Sequence, residues 1–288
     1  MPMTDSQTRG RRPRRRHVLA VVGVLVAGSL AAGCPQSPDR PPERAARFPS
    51  VALNAHDQVT ARYGYSLADV NPAHLDETPA GQRALVWLGG YDKENCGWKW
   101  SDDEVKKQFE RYGLAGSTRV AGYFVADEPN TNLNCPQAAA DVRERAALVR
   151  SLDPDTDRFT LVNVDDPNQF ADFRGTTDVM SVDVYPCLVG KPCDWSKIPN
   201  AIARLREAGV TRYMGMLQAF SFEQWRWPTA DELSGMIAQW QRSDWEGQLT
   251  FAWEYAGGRL ADHPDLLKVL RRLNLAPHEL FPLPESAP

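Results

Sequence analysis

Residues 120–130, Val-Ala-Gly-Tyr-Phe-Val-Ala-Asp-Glu-Pro-Asn, contain the clearest strand pattern of this chain. The segment is uncharged until it reaches two adjacent carboxylates, Asp127 and Glu128. Pro129 ends the strand, because proline has no backbone N–H to donate to a neighbouring strand. In α/β proteins the functional groups lie at the carboxyl ends of buried parallel strands. The stretch therefore predicts an α/β fold with Asp127 and Glu128 at its functional rim.

Apolar runs of strand length alternate with amphipathic helical patterns along the rest of the chain. Eight strands are predicted, at residues 50–54, 65–70, 84–89, 119–126, 159–164, 178–184, 212–217 and 249–253. The clearest helical patterns are residues 102–112, 138–152, 197–208, 230–243 and 264–273. Eight strand–helix units predict a single-domain (β/α)8 TIM barrel over residues 50–288. The alternative is an open doubly wound sheet, which normally has a Gly-rich phosphate loop after its first strand, and this sequence has none there.

Residues 1–33 have the pattern of an export signal. A basic run that includes Arg15 and Arg16 precedes a short apolar segment, residues 18–32. Residues 15–19 resemble a twin-arginine pattern, and residues 30–34 resemble a bacterial lipobox, which implies lipidation of Cys34. An ordinary cleaved secretory signal is the alternative. Residues 34–49 are rich in proline and charge and predict an extended tether. The protein is thus expected to be exported, and either lipid-anchored to the outer face of the bacterial cell membrane or secreted.

The charge balance limits the partners. The chain has 33 basic and 37 acidic residues, and loss of residues 1–33 would leave 27 against 36, a formal charge of −9. Such a balance argues against nucleic acid or an anionic membrane surface. The only membrane contact expected is through a lipid on Cys34.

Four cysteines remain beyond Cys34, an even number that predicts disulfides in an oxidising compartment. Three pairings are possible. We favour Cys187 with Cys193, which closes a short loop, and Cys96 with Cys135, which ties two neighbouring loops together. No histidine lies at ligand spacing from these cysteines, so no metal or other cofactor is expected.

Carboxylates and aromatic rings follow several predicted strands. Asp127 and Glu128 end the fourth strand, and Asn163 ends the fifth. Ser181, Asp183 and Tyr185 share one face of the sixth by the period of two. Asp92 and Trp98 occupy the loop after the third strand. Gln218 ends the seventh strand, and Trp253 with Glu254 ends the eighth. Glycoside cleavage uses an acid and usually a second carboxylate, and aromatic faces pack on sugar rings, so we predict a carbohydrate ligand.

Three short motifs resemble those of retaining glycoside hydrolases with (β/α)8 barrels. Ala126-Asp-Glu-Pro129 is similar to their strand-four ending, residues 178–186 (Asp-Val-Met-Ser-Val-Asp-Val-Tyr-Pro) to their strand six, and residues 227–233 (Trp-Pro-Thr-Ala-Asp-Glu-Leu) to their seventh helix. The resemblance covers roughly residues 84–258. It implies that Glu128 is the general acid/base, that Asp127 binds sugar hydroxyls and that Trp253 is the floor of the sugar site.

The chain departs from that family at the end of strand seven. The family places a nucleophilic glutamate there, whereas this chain has Gln218, which cannot form a glycosyl ester. The replacement candidates are Asp183, ranked first, and Glu254, which alternation would turn outward if Trp253 points inward.

Two functions follow as hypotheses. In the first, the protein is a glycoside hydrolase acting on an extracellular polysaccharide or glycoconjugate. Glu128 donates the proton, Asp183 or Glu254 activates water or attacks, and the sugar is held by Asp92, Trp98, Asp127, Asn163, Tyr185, Gln218 and Trp253. In the second, it is a non-catalytic carbohydrate-binding surface lipoprotein on the same scaffold. This hypothesis is based on Gln218, which replaces the nucleophilic glutamate of the family. A structural role for Asp127 or Asp183 is the alternative reading of those two acids.

Overall fold

The computed structural model describes residues 48–55, 59–132 and 135–284. The predicted signal segment, nearly all of the tether and Cys34 lie outside these ranges. In the part described, no helix is long and apolar enough to cross a membrane.

Eight parallel strands close into a barrel, which confirms the predicted (β/α)8 architecture. In chain order they are β1 Ser50–Ala52, β2 Leu67–Val70, β3 Arg83–Trp87, β4 Val120–Asp127, β5 Phe159–Val164, β6 Val179–Val182, β7 Tyr213–Gln218 and β8 Gly247–Phe251. Each strand pairs with the next in sequence, and β1 closes the ring by pairing in parallel with β8, Ser50 opposite Gln248. All eight carboxyl ends therefore meet at one rim.

The helices surround this ring. They are α1 Asp102–Tyr112, α2 Ala138–Leu152, the short α3 Phe170–Phe173, α4 Lys197–Glu207, α5 Ala230–Trp240 and α6 Pro264–Leu275. Ser101 with Glu104 and Thr229 with Glu232 form reciprocal capping boxes that start α1 and α5. Only 3-10 helices, Thr60–Tyr63 and Pro72–Glu77, follow β1 and β2, because those connections are too short for a longer helix.

The two-residue period of the strands separates two cores. Leu85 belongs to a cluster to which all eight strands contribute and no helix does, and which therefore fills the barrel interior. Its neighbours Ala84 and Val86 pack outward, with Val105 and Phe109 of α1. The strand period alone thus sends alternate side chains into the barrel and against the helices.

The end of β8 differs from the sequence expectation. The strand was expected to run to residue 253, but it ends at Phe251, whose side chain packs on the interior cluster. Two short antiparallel hairpins, Tyr91–Asp92 with Gly97–Trp98 and Glu254–Tyr255 with Gly258–Arg259, were also not expected. Both hairpins follow barrel strands.

Candidate active site

The two carboxylates that end β4 face the same cleft. Adjacent residues of a regular strand point in opposite directions, but Glu128 has a φ of 45°, in the left-handed region, which interrupts the alternation. The pairing register of β4 also shifts between Phe124 and Ala126. As a result Asp127 and Glu128 both line a cleft of about 430 Å³ at the carboxyl rim.

A third carboxylate, Asp183, lies on the floor of this cleft immediately after β6. It is 6% exposed, and its Oδ2 accepts a hydrogen bond of 3.3 Å from the Tyr185 hydroxyl. Its Oδ1 has no hydrogen-bond partner among the described residues. Asn163, at the end of β5, donates from Nδ2 to Asp127 Oδ1 at 3.0 Å, while its own Oδ1 is likewise unpartnered within the described chain. Both unpartnered oxygens are buried below the cleft surface, and Asn163 favours the ionised form of Asp183, so Asp127, Asn163 and Asp183 form one buried polar group.

The acidic groups raise one another's proton affinity. Burial raises the pKa of Asp183 well above its ordinary value, and the charges of Glu128, Asp127 and Asp165 add to the effect. Asp127 is open to the cleft, yet enclosure by protein atoms and then repulsion from Glu128 raise its pKa to about 6. Burial and the charge of Glu128 also raise the pKa of Asp165. The cleft therefore retains protons in a pH range in which ordinary carboxyl groups are ionised.

Lys93 is the one cation in contact with Glu128 in the described part of the chain, and sequence reasoning missed it. Its Nζ lies 2.6 Å from Glu128 Oε2. Burial opposes the charged ammonium, but the hydrogen bond and charge of Glu128 outweigh it and raise the pKa of Lys93. Lys93 is in the turn of the first hairpin, which the Cys96–Cys135 disulfide joins to the loop after β4. A lysine in a loop has no periodicity that would reveal this contact.

Aromatic rings form the opposite wall of the cleft. Tyr185 and Phe220 meet edge to face with centroids 4.9 Å apart, and Phe220 lies 5.1 Å from Phe251. The wall continues outward through Tyr255, 4.8 Å from Phe251, to Phe222. Trp225 lines the same cleft. Tyr185 was expected from the sequence as a binding residue, and Trp225 as a loop residue on which a sugar could pack. The direction of the rings in loops depends on the fold.

Gln218 ends β7 as expected, but its carboxamide is fully engaged away from the cleft. Its Oε1 accepts from the Cys187 N–H at 3.0 Å, and its Nε2 donates to the carbonyls of Cys187 and Arg226 at 2.9 and 2.8 Å. The side chain is fully buried. Gln218 therefore joins the loops after β6 and β7 and is not brought together with Glu128.

Three other predicted residues also lie away from the cleft lining. Trp253 is fully buried in the core that packs against the helices, with its ring 5.7 Å from that of Tyr63. Its position follows from the early end of β8. Glu254 pairs with Arg259 in the second hairpin at 3.1 Å. Trp98 stacks under the Arg145 guanidinium, 4.1 Å from the ring centroid.

Asp92 lines a second depression next to the cleft, together with Glu128. Its carboxylate accepts hydrogen bonds from the backbone N–H groups of Glu94 and Asn95 at 3.0 and 3.1 Å. These bonds hold the turn that carries Lys93. Asp92 is thus close to the site, but its oxygens already have partners.

Both favoured disulfides, Cys96–Cys135 and Cys187–Cys193, are present in the structure. Cys187, Cys193 and Glu232 bring potential metal ligands within 4.8 Å of one another. The two sulfurs are bonded to each other, and Glu232 pairs with Arg226 at 2.7 Å, so this cluster does not offer a metal its ligands.

Comparison with known proteins finds relatives by structure alone. No protein family model and no curated protein sequence matches the chain. A Faecalibacterium prausnitzii β-glucuronidase superposes with a TM-score of 0.53 at 12% identity, over 82% of this chain and 49% of that one. A putative α-L-fucosidase from Bacteroides thetaiotaomicron gives 0.52 at 12% identity, over 86% and 99%. A chitinase from Chromobacterium violaceum gives 0.50 at 7% identity, over 80% and 99%.

These similarities define the class of fold. The chain has the (β/α)8 barrel found in glycoside hydrolases, as the sequence resemblance implied. Two further solved structures, a β-glucuronidase and a putative β-galactosidase, are matched over only 30% and 32% of their own length.

Proposed function

We propose that the protein hydrolyses glycosidic bonds in an extracellular polysaccharide or glycoconjugate. The observation that carries the proposal is the pair of carboxylates Glu128 and Asp183, which line one cleft opposite a wall of aromatic rings. Carboxylates supply the acid and base that glycoside cleavage needs, and aromatic faces bind the apolar faces of sugar rings.

The two carboxylates lie in different environments. Glu128 is about one third exposed and forms an ion pair with Lys93 at 2.6 Å. Burial, and then the neighbouring negative charges, raise the pKa of Asp183 and favour its protonated form. A carboxyl group that keeps its proton near neutral pH can act as the acid of an acid/base pair. In this proposal Asp183 donates its proton to the leaving glycosidic oxygen as the C–O bond breaks, and Glu128 takes a proton from the attacking water. These roles are the reverse of those expected from the sequence.

Asp127 and Asn163 would hold the sugar between the two carboxylates. Asn163 fixes Asp127 through its amide N–H and leaves its own Oδ1 free of partners in the described structure. A sugar hydroxyl can donate its one proton to the Asp127 carboxylate, which Asn163 holds in place. This deepens the sequence expectation that both residues bind substrate.

The proposal is tested by screening the purified domain against bacterial, fungal and plant glycans for release of reducing ends. Glu128→Gln and Asp183→Asn should each reduce cleavage at least 100-fold, the usual scale of a lost acid or base. Asp265→Asn, on the exposed side of α6, is the matched charge-removing control and should leave cleavage unchanged. Full activity in both cleft variants of an active preparation would refute the catalytic roles.

Lys93→Met tests the assignment of roles separately. Without the ammonium, Glu128 loses the ion pair that positions it for the attacking water, so kcat should fall while KM changes little. Lys93→Arg keeps the charge and should restore most of the wild-type kcat. An unchanged kcat in Lys93→Met would contradict a positioning role of Lys93 for Glu128.

Non-catalytic carbohydrate binding is the second candidate function. It is favoured by Gln218, which stands where the resembling enzymes have a nucleophile and which is fully bonded to Cys187 and Arg226. Binding without release of reducing ends, with equal affinity in wild type and Asp183→Asn, would support this function over hydrolysis.

We also propose export and lipid anchoring at Cys34. The basic and apolar leader of the sequence and the two disulfides support it, since disulfides persist in oxidising compartments. Metabolic labelling with a fatty acid should mark the wild type and not Cys34→Ala. Equal labelling of both would exclude lipidation at this residue.

A further inference from the structure

The cleft with Glu128 is one of three depressions that share walls across the carboxyl rim. We name it the aromatic cleft. The lysine depression, about 590 Å³, is lined by Lys93, Lys99 and Trp100 and shares Asp127 and Glu128 with the aromatic cleft. The histidine depression, about 360 Å³, is lined by residues that include Asp69, His74 and Glu77.

Trp87, the last residue of β3, lines all three depressions. Asn54 is shared by the histidine depression and the aromatic cleft, and Asn71 by the histidine and lysine depressions. The three depressions therefore adjoin one another around one indole ring. Glu128 lies at the boundary between the lysine depression and the aromatic cleft, so ligand space extends on both sides of it.

The indole of Trp87 is held in place from two directions. Its ring stacks on Phe124 of β4, with centroids 4.0 Å apart and planes 9° from parallel. Its Nε1–H donates to Asp69 Oδ1 at the end of β2. The other Asp69 oxygen accepts from the Asn54 N–H at 2.7 Å, which fixes the carboxylate in turn. An aromatic ring fixed in this way loses little entropy when a flat ligand packs on it.

The size of the combined space decides what it can hold. A pocket of 300–1,000 Å³ is typical for one small ligand, and each of the three depressions alone is in that range. A single sugar residue would leave most of the space in the three adjoining depressions empty. Together the three depressions instead fit a chain of sugar units whose rings pack on successive aromatic side chains.

We propose that the ligand is a glycan chain of several units, bound on both sides of Glu128 and packed on Trp87, and not a single sugar at a chain end. This inference rests on the proposed carbohydrate function and adds the substrate class. In this proposal Trp87 determines how strongly the binding affinity depends on the length of the glycan chain, and Asp69 positions Trp87.

The test uses oligosaccharides of increasing length prepared from the best-bound polymer of the glycan screen. Calorimetric binding to wild type should strengthen from two units to at least four. Trp87→Ala should lose about tenfold affinity for the longest member, because it removes the ring on which the added sugar units pack. Its affinity for the disaccharide should be nearly unchanged.

Matched variants separate this effect from damage to the fold. Trp87→Phe keeps a stacking ring and should recover part of the lost affinity. Asp69→Asn should weaken long-chain binding less than Trp87→Ala does, and it keeps the inference testable if Trp87→Ala fails to fold. Trp245→Ala removes an indole that packs on Phe48 and Trp240 and lines none of the three depressions, so it should bind all lengths as wild type does.

The outcomes distinguish this inference from the proposed function. Cleavage with no dependence on chain length, or an equal loss at every length in Trp87→Ala, would overturn the inference and leave hydrolysis standing. Length-dependent binding through Trp87 without cleavage would support the inference and refute hydrolysis. Binding of no glycan at any length would overturn both.

Discussion

At the scale of single residues, the backbone at Glu128 decides what the acidic pair can do. Asp127 and Glu128 are neighbours in sequence, and a continuing strand would point one of them away from the cleft. A left-handed φ of 45° at a non-glycine residue directs both to the same side. Such a conformation costs of order 1–3 kcal/mol and is typical of functional sites.

A pair of substitutions measures that cost. Asparagine tolerates the left-handed region better than glutamine does, while both remove the charge of Glu128 and its ion pair with Lys93. We expect Glu128→Asn to have a free energy of unfolding about 1 kcal/mol higher than Glu128→Gln. Urea unfolding monitored by circular dichroism measures the difference. Equal stability of the two variants would mean that the backbone at this position stores no strain.

At the scale of elements, the loops after β6 and β7 are held together by more than their own turns. The Cys187–Cys193 disulfide closes the first loop, and Gln218 of β7 bonds to both the N–H and the carbonyl of Cys187. Arg226, in the second loop, pairs with Glu232 of α5. These contacts support the aromatic wall, because Phe220, Phe222 and Trp225 lie in the loop after β7.

This arrangement predicts that Gln218→Glu destabilises the protein and does not create a nucleophile. An ionised glutamate would keep the bond from the Cys187 N–H but would face two carbonyl oxygens in a fully buried position. We expect the free energy of unfolding at pH 7 to fall by about 3 kcal/mol. The loss should shrink at low pH, where a protonated glutamate can donate to one carbonyl.

Gln224→Glu, on an exposed position of the same loop, is the matched control and should change stability little. Denaturant unfolding at pH 4 and pH 7 would compare the two variants. A stable Gln218→Glu protein at pH 7 would contradict the role of Gln218 in joining the loops.

At the scale of the whole molecule, the barrel brings acids from three strand ends close enough to influence one another. Asp127, Asp165 and Asp183 follow or end different strands, and all have a raised pKa. A group whose pKa is higher in the folded than in the unfolded state binds more protons when folded, so its ionisation lowers stability as pH rises. We therefore expect these three acids to lower the free energy of unfolding as the pH rises from mildly acidic to neutral.

Asp127→Asn should isolate one such contribution. The pKa of Asp127 rises from 3.8 to about 6 in the folded protein. The variant should match wild type in stability below about pH 4, gain on it between about pH 4 and 6, and stay more stable above that. Urea unfolding across this pH range gives the measurement.

Asp265→Asn should show the opposite sign. The hydrogen bond from Lys268 lowers the pKa of Asp265, so its contribution to stability is present above the unfolded pKa and lost as pH falls. The variant should be no more stable than wild type at neutral pH. A gain in stability by both variants at neutral pH would indicate a general charge effect and not the cleft.

Local patterns in the sequence predicted the barrel and five of its helices to within a few residues, and they favoured the observed disulfide pairing over two others. They also placed Asp127, Glu128, Asn163, Asp183 and Tyr185 at strand ends. These features follow from local periodicity and from strand ends, which a chain records in its order of residues. The strand pattern also carried the resemblance to glycoside hydrolase barrels.

Which of the rim residues come into contact depends on the three-dimensional fold. The cleft is reached from loops and neighbouring strands by Lys93, Trp87 and the aromatic wall. Gln218 lies outside the cleft because it is hydrogen-bonded to Cys187, and Trp253 lies outside it because β8 ends at Phe251. Contacts between side chains far apart in sequence depend on how strands pair and loops fold back, and no local pattern encodes them. That is why the fold and the carboxylates could be predicted from sequence, while the partners of the carboxylates could not.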